Sequence, residues 1–249
     1  MMNGFKKVIH HFIYPHFPDP FPSTENMQNS PAFLFDLNGT MINDMQYHIK
    51  AWHDILSSLG ADISMQQMKE ECYGKNDELL ERIFPGRFTE EEKKNLSLGK
   101  EKAYQKVYQP RLALIEGLHR FLMGARENNI EMAIGSAAIM FNIDFVLDGL
   151  NIRSYFDAIV SADDVTRSKP HPETYLRCAE LLNKNPKDCI VFEDAPKGVE
   201  AAANAGMRAV VLTTMHCSDE FNGFNNIICF AENYTNLPLN ELLKNNYDF

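Results

Sequence analysis

What this chain lacks narrows its function before any motif is read. Its five cysteines (Cys72, Cys178, Cys189, Cys217, Cys229) are odd in number and form no Cys-x-x-Cys pair, which excludes a disulfide framework and a Cys-rich zinc site and suits reduced thiols in a cytoplasm. Long apolar runs are missing too. The early apolar pieces around Val8 and Phe12 are interrupted by His10 and His11, so neither a membrane span nor a secretory leader fits. There is no Lys/Arg-rich stretch, and the formal net charge is −10, which argues against nucleic acid or an anionic membrane as partner. No internal repeat is visible. A small phosphorylated substrate would need local positive charge here, from a metal or from single lysines.

What is present suits a soluble globular protein that acts as a monomer or weak dimer. With 249 residues, 45% of them hydrophobic, the chain can bury a full core and carry a substantial insertion. Residues 1–31 stand apart, punctuated by Pro15, Pro18, Pro20, Pro22 and Pro31, and read as a flexible extension. Beyond them, short apolar runs at 32–36, 131–136, 156–161, 189–194, 208–213 and 226–230 read as strands. Helical periodicity fills the gaps between most of them. That alternation predicts an α/β fold with a doubly wound parallel sheet. The rhythm breaks at 43–114, where no strand pattern occurs. There His48, Trp52, Ile55, Leu56 and Leu59 make one helix face closed by Gly60, and Thr89 with Glu92 forms a capping-box signature. The expectation is an all-helical cap domain at 43–114, inserted into a core domain of 32–42 and 115–249.

Four segments at strand ends, or in loops beyond them, carry chemistry. They are Asp36-Leu-Asn-Gly-Thr40, Ser136 at the end of Met132-Ala-Ile-Gly-Ser136, Ser168-Lys-Pro-His-Pro172, and Phe192-Glu-Asp-Ala-Pro-Lys-Gly198. In a parallel sheet these fall on one edge, bringing together a nucleophilic carboxylate, a hydroxyl, an ammonium and an acidic pair. That set suits phosphoryl transfer. Asp36 would attack phosphorus, Mg²⁺ held by Asp36 and Asp194 would neutralise charge, Ser136 and neighbouring amides such as that of Ala137 would bind phosphoryl oxygens, and Lys169 would balance the transition state. Asn38 is the anomaly, because a carboxyl there would be a natural proton donor to a leaving group and an amide is not.

The order and spacing of these segments resemble the haloacid dehalogenase (HAD) superfamily, specifically its β-phosphoglucomutase-like phosphatases. The resemblance spans about residues 32–235 and implies a Rossmann-like core with a helical cap. By it, Asp36 is the nucleophile that forms an aspartyl-phosphate, the carbonyl of Asn38 joins Asp36, Glu193 and Asp194 at Mg²⁺, and Thr40 supports the loop. Asn43-Asp-Met-Gln-Tyr-His48 is like the entry to a mutase-type cap, and Tyr73-Gly-Lys-Asn76 sits where its specificity loop would lie. Asp44, His48, Lys75 and Asn76 are therefore candidate substrate contacts, with Asp44 or His48 the nearest substitute acid. His48 fits a packed cap histidine equally well. The chain departs from mutases in three ways. Ile139-Met140 stand where a Lys-Asn pair holds a sugar phosphate, no Arg occurs between Gly74 and Glu78, and residue 38 is Asn. The expectation is a Mg²⁺-dependent phosphohydrolase of a small phosphorylated metabolite. The alternatives are a β-phosphoglucomutase and a catalytically impaired phosphate-binding module.

Overall fold

A computed structural model describes residues 31–244. The expected flexible extension, apart from Pro31, lies outside the described residues. Six strands, β1 (Ala32–Phe35), β2 (Glu131–Gly135), β3 (Ala158–Val160), β4 (Cys189–Glu193), β5 (Arg208–Leu212) and β6 (Ile227–Ala231), form one sheet in the order β3-β2-β1-β4-β5-β6. Every pairing is parallel. The strand order reverses between β1 and β4, and the crevice beyond such a reversal is where open α/β sheets bind ligands.

The apolar runs form strands because both faces of the sheet are covered. In β1, Phe33 and Phe35 point into one cluster while Ala32 and Leu34 point into the other, and all four are fully buried. β4 alternates in the same sense, with Ile190 and Phe192 on the first side and Cys189 and Val191 on the second. The Phe35 and Phe192 rings stack at 4.5 Å between centroids, just below the residues that end the two central strands.

Between Ile42 and Leu114 the chain contains four α-helices, α1 (Met45–Ser58), α2 (Met65–Glu71), α3 (Asn76–Ile83) and α4 (Glu90–Tyr108). The Thr89–Glu92 capping box is formed, with the Glu92 amide on Thr89 Oγ1 at 3.3 Å and the Thr89 amide on Glu92 Oε2 at 2.8 Å. A second box, Ser64 with Gln67, opens α2. These helices bury their own apolar cluster of Ile49, Trp52, Leu56, Met68, Leu79 and Leu80, so the cap has its own core. An antiparallel bridge between Ile42 and Leu114 joins the two connecting chains. The core continues with α5 (Leu118–Glu127), α6 (Met140–Gly149), α7 (Glu173–Leu181), α8 (Pro196–Asn204) and the short α9 (Leu239–Leu242).

Candidate active site

Asp36 is the first residue past β1, and its amide donates to the Phe192 carbonyl at 2.9 Å, so pairing with β4 fixes where its side chain emerges. Lys169, in the loop before α7, reaches across to donate to Asp36 Oδ1 at 2.6 Å and to Glu193 Oε1 at 2.8 Å. Glu193 is itself held on both oxygens. Tyr175 donates to Oε1 at 2.9 Å, and the amides of Asp194 and Ala195 donate to Oε2 at 2.9 and 3.0 Å. Asp194 packs on Gly39, whose φ is +80° and where a Cβ would stand 2.0 Å from Asp194 Oδ2. Thr40 Oγ1 donates to Asp194 Oδ1 at 3.2 Å.

Burial and charge set the electrostatics of this end. Burial pushes the Asp36 carboxyl up to about 7, with Glu193 adding to the rise and Lys169 opposing it. Burial, then Glu193 and Asp36, raise Asp194 well above the ordinary carboxylate range. Burial works against the charge on Lys169, but Asp36 and Glu193 outweigh it and raise its pKa. Three buried carboxylates thus face one ammonium.

A second polar cluster lies above the first, on the cap. The amide of Asn38 donates to Asp44 Oδ2 at 2.6 Å, and His48 Nε2 and the Tyr104 hydroxyl converge on the same oxygen. Lys100 Nζ lies 2.6 Å from His48 Nδ1 and 2.9 Å from Glu101 Oε1. An ammonium only donates, so Nδ1 is the acceptor and the neutral ring carries its proton on Nε2, toward Asp44. Asn76 donates to Glu101 Oε1 at 2.9 Å and to Ser97 at 2.6 Å. Between the two clusters is a cavity of about 390 Å³, lined by Asp36, Asn38, Ser136, Ala137, Lys169 and Asp194 below and by His48, Trp52, Asn76, Lys100 and Glu101 above.

Residues 33–212 match the model of the haloacid dehalogenase-like hydrolases. The chain belongs to that family. It is 31% identical to the fructose-1-phosphate phosphatase YqaB of Escherichia coli, an alignment covering 72% of this chain and 94% of that protein. It is 33% identical to the β-phosphoglucomutase of Bacillus subtilis, over 72% of this chain and 81% of that one. Among solved structures, the β-phosphoglucomutase of Clostridium difficile superposes with a TM-score of 0.75 at 28% identity, covering 86% of this chain and 96% of the other. The chain is thus a HAD-like phosphatase with a Rossmann-like core and a helical cap.

The donor set of this HAD phosphatase fits Mg²⁺ by its charge. Among the described residues no three His, Cys, Asp or Glu side chains converge as a metal cluster. Asp36 and Asp194 are hard oxygen donors of the kind Mg²⁺ takes, and a cation held by them would favour the ionised forms that burial disfavours. Glu193 is already engaged on both oxygens.

The structure brings Asp36, Asn38, His48, Asn76, Ser136, Ala137, Lys169, Glu193 and Asp194 to the cavity wall. It does not bring Thr40, Asp44 or Lys75 there. Thr40 is turned to Asp194, and Asp44 is fully buried behind Asn38 and His48. Lys75 donates to the Val165 carbonyl at 3.1 Å, so its ammonium ties the cap loop to the core instead of facing the cavity. Ser136 Oγ accepts from the Ala138 amide at 3.2 Å, which fixes its rotamer at the wall. Three residues escaped the sequence reading: Lys100 and Glu101 on the cap, and Tyr175 behind Glu193. The signal for the first two was the spacing of Lys93, Ser97, Lys100 and Tyr104, which puts polar residues on one face of α4, the face that is buried.

Proposed function

We propose that this protein is a Mg²⁺-dependent phosphohydrolase acting on a small phosphorylated metabolite, with Asp36 as the nucleophile. The observation that carries the reading is Lys169 bridging Asp36 and Glu193 beside Asp194, at the point where the sheet order reverses. Asp36 attacks phosphorus, the bond to the leaving oxygen breaks, and an aspartyl-phosphate forms that water then hydrolyses. Lys169 holds the carboxylate in place and offsets charge as the phosphoryl group transfers. Ser136 and the Ala137 amide hold phosphoryl oxygens. Asp36, Asp194 and the Asn38 carbonyl would hold Mg²⁺, with Glu193 positioning Lys169 and its own loop. When bound, the metal supplies neutralisation of nucleophile and phosphate. The relatives named as a fructose-1-phosphate phosphatase and a β-phosphoglucomutase support a sugar-phosphate-sized substrate. Five free thiols suit a cytoplasmic setting.

The anomaly at residue 38 shapes the chemistry. The Asn38 amide, 2.6 Å from Asp44, has no acidic proton to give, so hydrolysis favours leaving groups that depart without one. The same absence opposes the mutase reading, which needs a proton shuttled to and from a sugar hydroxyl. It favours a second reading, a phosphate-binding module that has lost turnover. A panel of aryl, acyl and sugar phosphates, assayed with Mg²⁺ and with a chelator, decides. Metal-dependent phosphate release that is fastest on activated esters is expected. Hydrolysis untouched by chelation sinks the reading, and phosphate binding without any turnover establishes the module instead.

A further inference from the structure

One stretch of the cap turns its polar groups to the core instead of to the cavity. Glu78 sits in the first turn of α3, and its Oε2 accepts the Lys75 amide at 3.0 Å, which fixes the direction of the carboxylate. The same oxygen accepts the Ser168 hydroxyl at 2.5 Å, a bond between residues 90 apart in sequence. Beside it, Lys75 Nζ donates to the Val165 carbonyl at 3.1 Å. Gly74 makes this approach possible. Its φ is +75°, and a Cβ there would stand 2.6 Å from Glu78 Oε2 and 3.1 Å from Ser168 Oγ.

The neighbours of Ser168 give the contact its meaning. On both sides the chain is anchored within the core: the Thr166 and Arg167 amides donate to Glu173 at 2.8 and 3.1 Å, and Lys169 Nζ donates to Asp36 and Glu193. The Ser168 carbonyl accepts the His171 amide at 2.9 Å. Its hydroxyl, by contrast, is given to the cap. A hydroxyl donated to a carboxylate is a charge-assisted bond, stronger than one between neutral groups. The cap loop therefore grips the core loop at the residue directly before the lysine that faces the nucleophile. Lys169 carries its ammonium on a flexible stem, so where Nζ stands depends on how its backbone is held.

We propose that Glu78 is a positioning residue: through Ser168 it holds the backbone of Lys169 so that the ammonium meets Asp36, and it ties that placement to contact between cap and core. The inference rests on the phosphohydrolase reading above. Glu78 is not among the residues that line the cavity, and it takes no part in bond making.

The test measures kcat and KM of the full chain for p-nitrophenyl phosphate with Mg²⁺. Alongside, the rate of reductive methylation of Lys169 is read by mass spectrometry. E78A and S168A should each lower kcat by about tenfold to a hundredfold while KM stays within about threefold, because a misplaced catalytic group loses rate and not binding. The double variant should be no slower than the slower single, since both remove one bond. E78Q keeps a carbonyl oxygen to accept the hydroxyl, and its kcat should stay within about threefold of wild type. Lys169 should be methylated at least about threefold faster in E78A and S168A, as the loop that buries it opens more often.

Wild-type kcat in both single variants overturns the inference, as does a raised KM at wild-type kcat, which would make Glu78 a substrate contact. Losses that multiply in the double variant, an E78Q protein as slow as E78A, or Lys169 labelling at the wild-type rate overturn it too. If E78A does not fold, S168A, which deletes one hydroxyl, decides with the labelling. A wild type that hydrolyses no phosphate ester overturns the phosphohydrolase reading and this inference together, whereas turnover that E78A and S168A leave intact overturns this inference only.

Discussion

The cavity has a buried lysine at each end, and the two do opposite things. At the core end Lys169 faces Asp36, Glu193 and Asp194, so negative charge is in excess and the site calls for a cation and a phosphoryl group. At the cap end Lys100 faces Glu101 and a histidine, so charges cancel and the surface calls for neutral, hydrogen-bonding chemistry. The residue type is the same. What differs is the count of buried carboxylates around it and the element that carries it. Lys169 is fixed against two central strands, where Glu193 has a ligand for each oxygen. Lys100 rides on a helix of the cap, where Glu101 keeps one oxygen unpaired. Asn38 lies between the two, its main chain part of the core loop and its side-chain amide donated upward to Asp44.

This contrast is broken most severely at the core end. Substituting D36N should lower Mg²⁺-dependent phosphate release on the order of 10⁴-fold or more, since the amide is a poor nucleophile and a weaker oxygen donor. Phosphate release in single-turnover assays checks it, and substantial residual turnover would remove Asp36 as the nucleophile. The next effect is a gain. Substituting N38D sets a carboxyl against Asp44, 2.6 Å from where the amide nitrogen lies now, and two such groups hold a proton between them. Turnover of alkyl phosphates should rise by roughly 10² to 10⁴, with little change for aryl esters. An N38D protein no better on any ester would place the proton donor elsewhere, and H48A would be measured next.

Smaller effects sharpen the comparison at the cap. Substituting K100M removes the cation from His48 and Glu101 but keeps the long stem. KM for sugar phosphates should rise by about tenfold, and more than kcat falls, the pattern of lost binding and not of lost chemistry. A fall in kcat as deep as that of D36N would place Lys100 at the reacting atoms. The smallest change is expected from K75A, which loses one hydrogen bond to the Val165 carbonyl. That bond is worth about 1 kcal/mol, so activity should stay within about tenfold of wild type. A larger loss would show that the tie between cap loop and core holds the cavity in shape.

Much of the core end was legible because its signals are local. Asp36, Ser136 and the Glu193-Asp194 pair each close an apolar run, and a parallel sheet puts all such ends on one edge. The cap end was not, for a physical reason. Along α4 a lysine followed by a glutamate reads as a solvated face, and the spacing of Lys93, Ser97, Lys100 and Tyr104 groups polar residues on one side without saying that this side faces inward. Their burial depends on His48 from α1 and Asn76 from α3 arriving opposite them. Lys75 went the other way: a lysine within a candidate specificity loop looks like a substrate contact, but its ammonium donates a hydrogen bond to the Val165 carbonyl.

By itself, the sequence determined where the strands run, which carboxylates end them, that residue 38 carries an amide, and that a helical segment interrupts the alternation. Those properties follow from the period of the side chains and from groups bonded within a few residues of each other. The tertiary structure alone decided that Lys169 reaches Asp36 across 133 residues, that Glu193 is held by Tyr175, and that Lys100 is matched by Glu101 inside the cavity. Each of those depends on which crossover brings which strand or helix alongside, and on how many like charges share one desolvated space. Neither quantity is a property of any short stretch of chain.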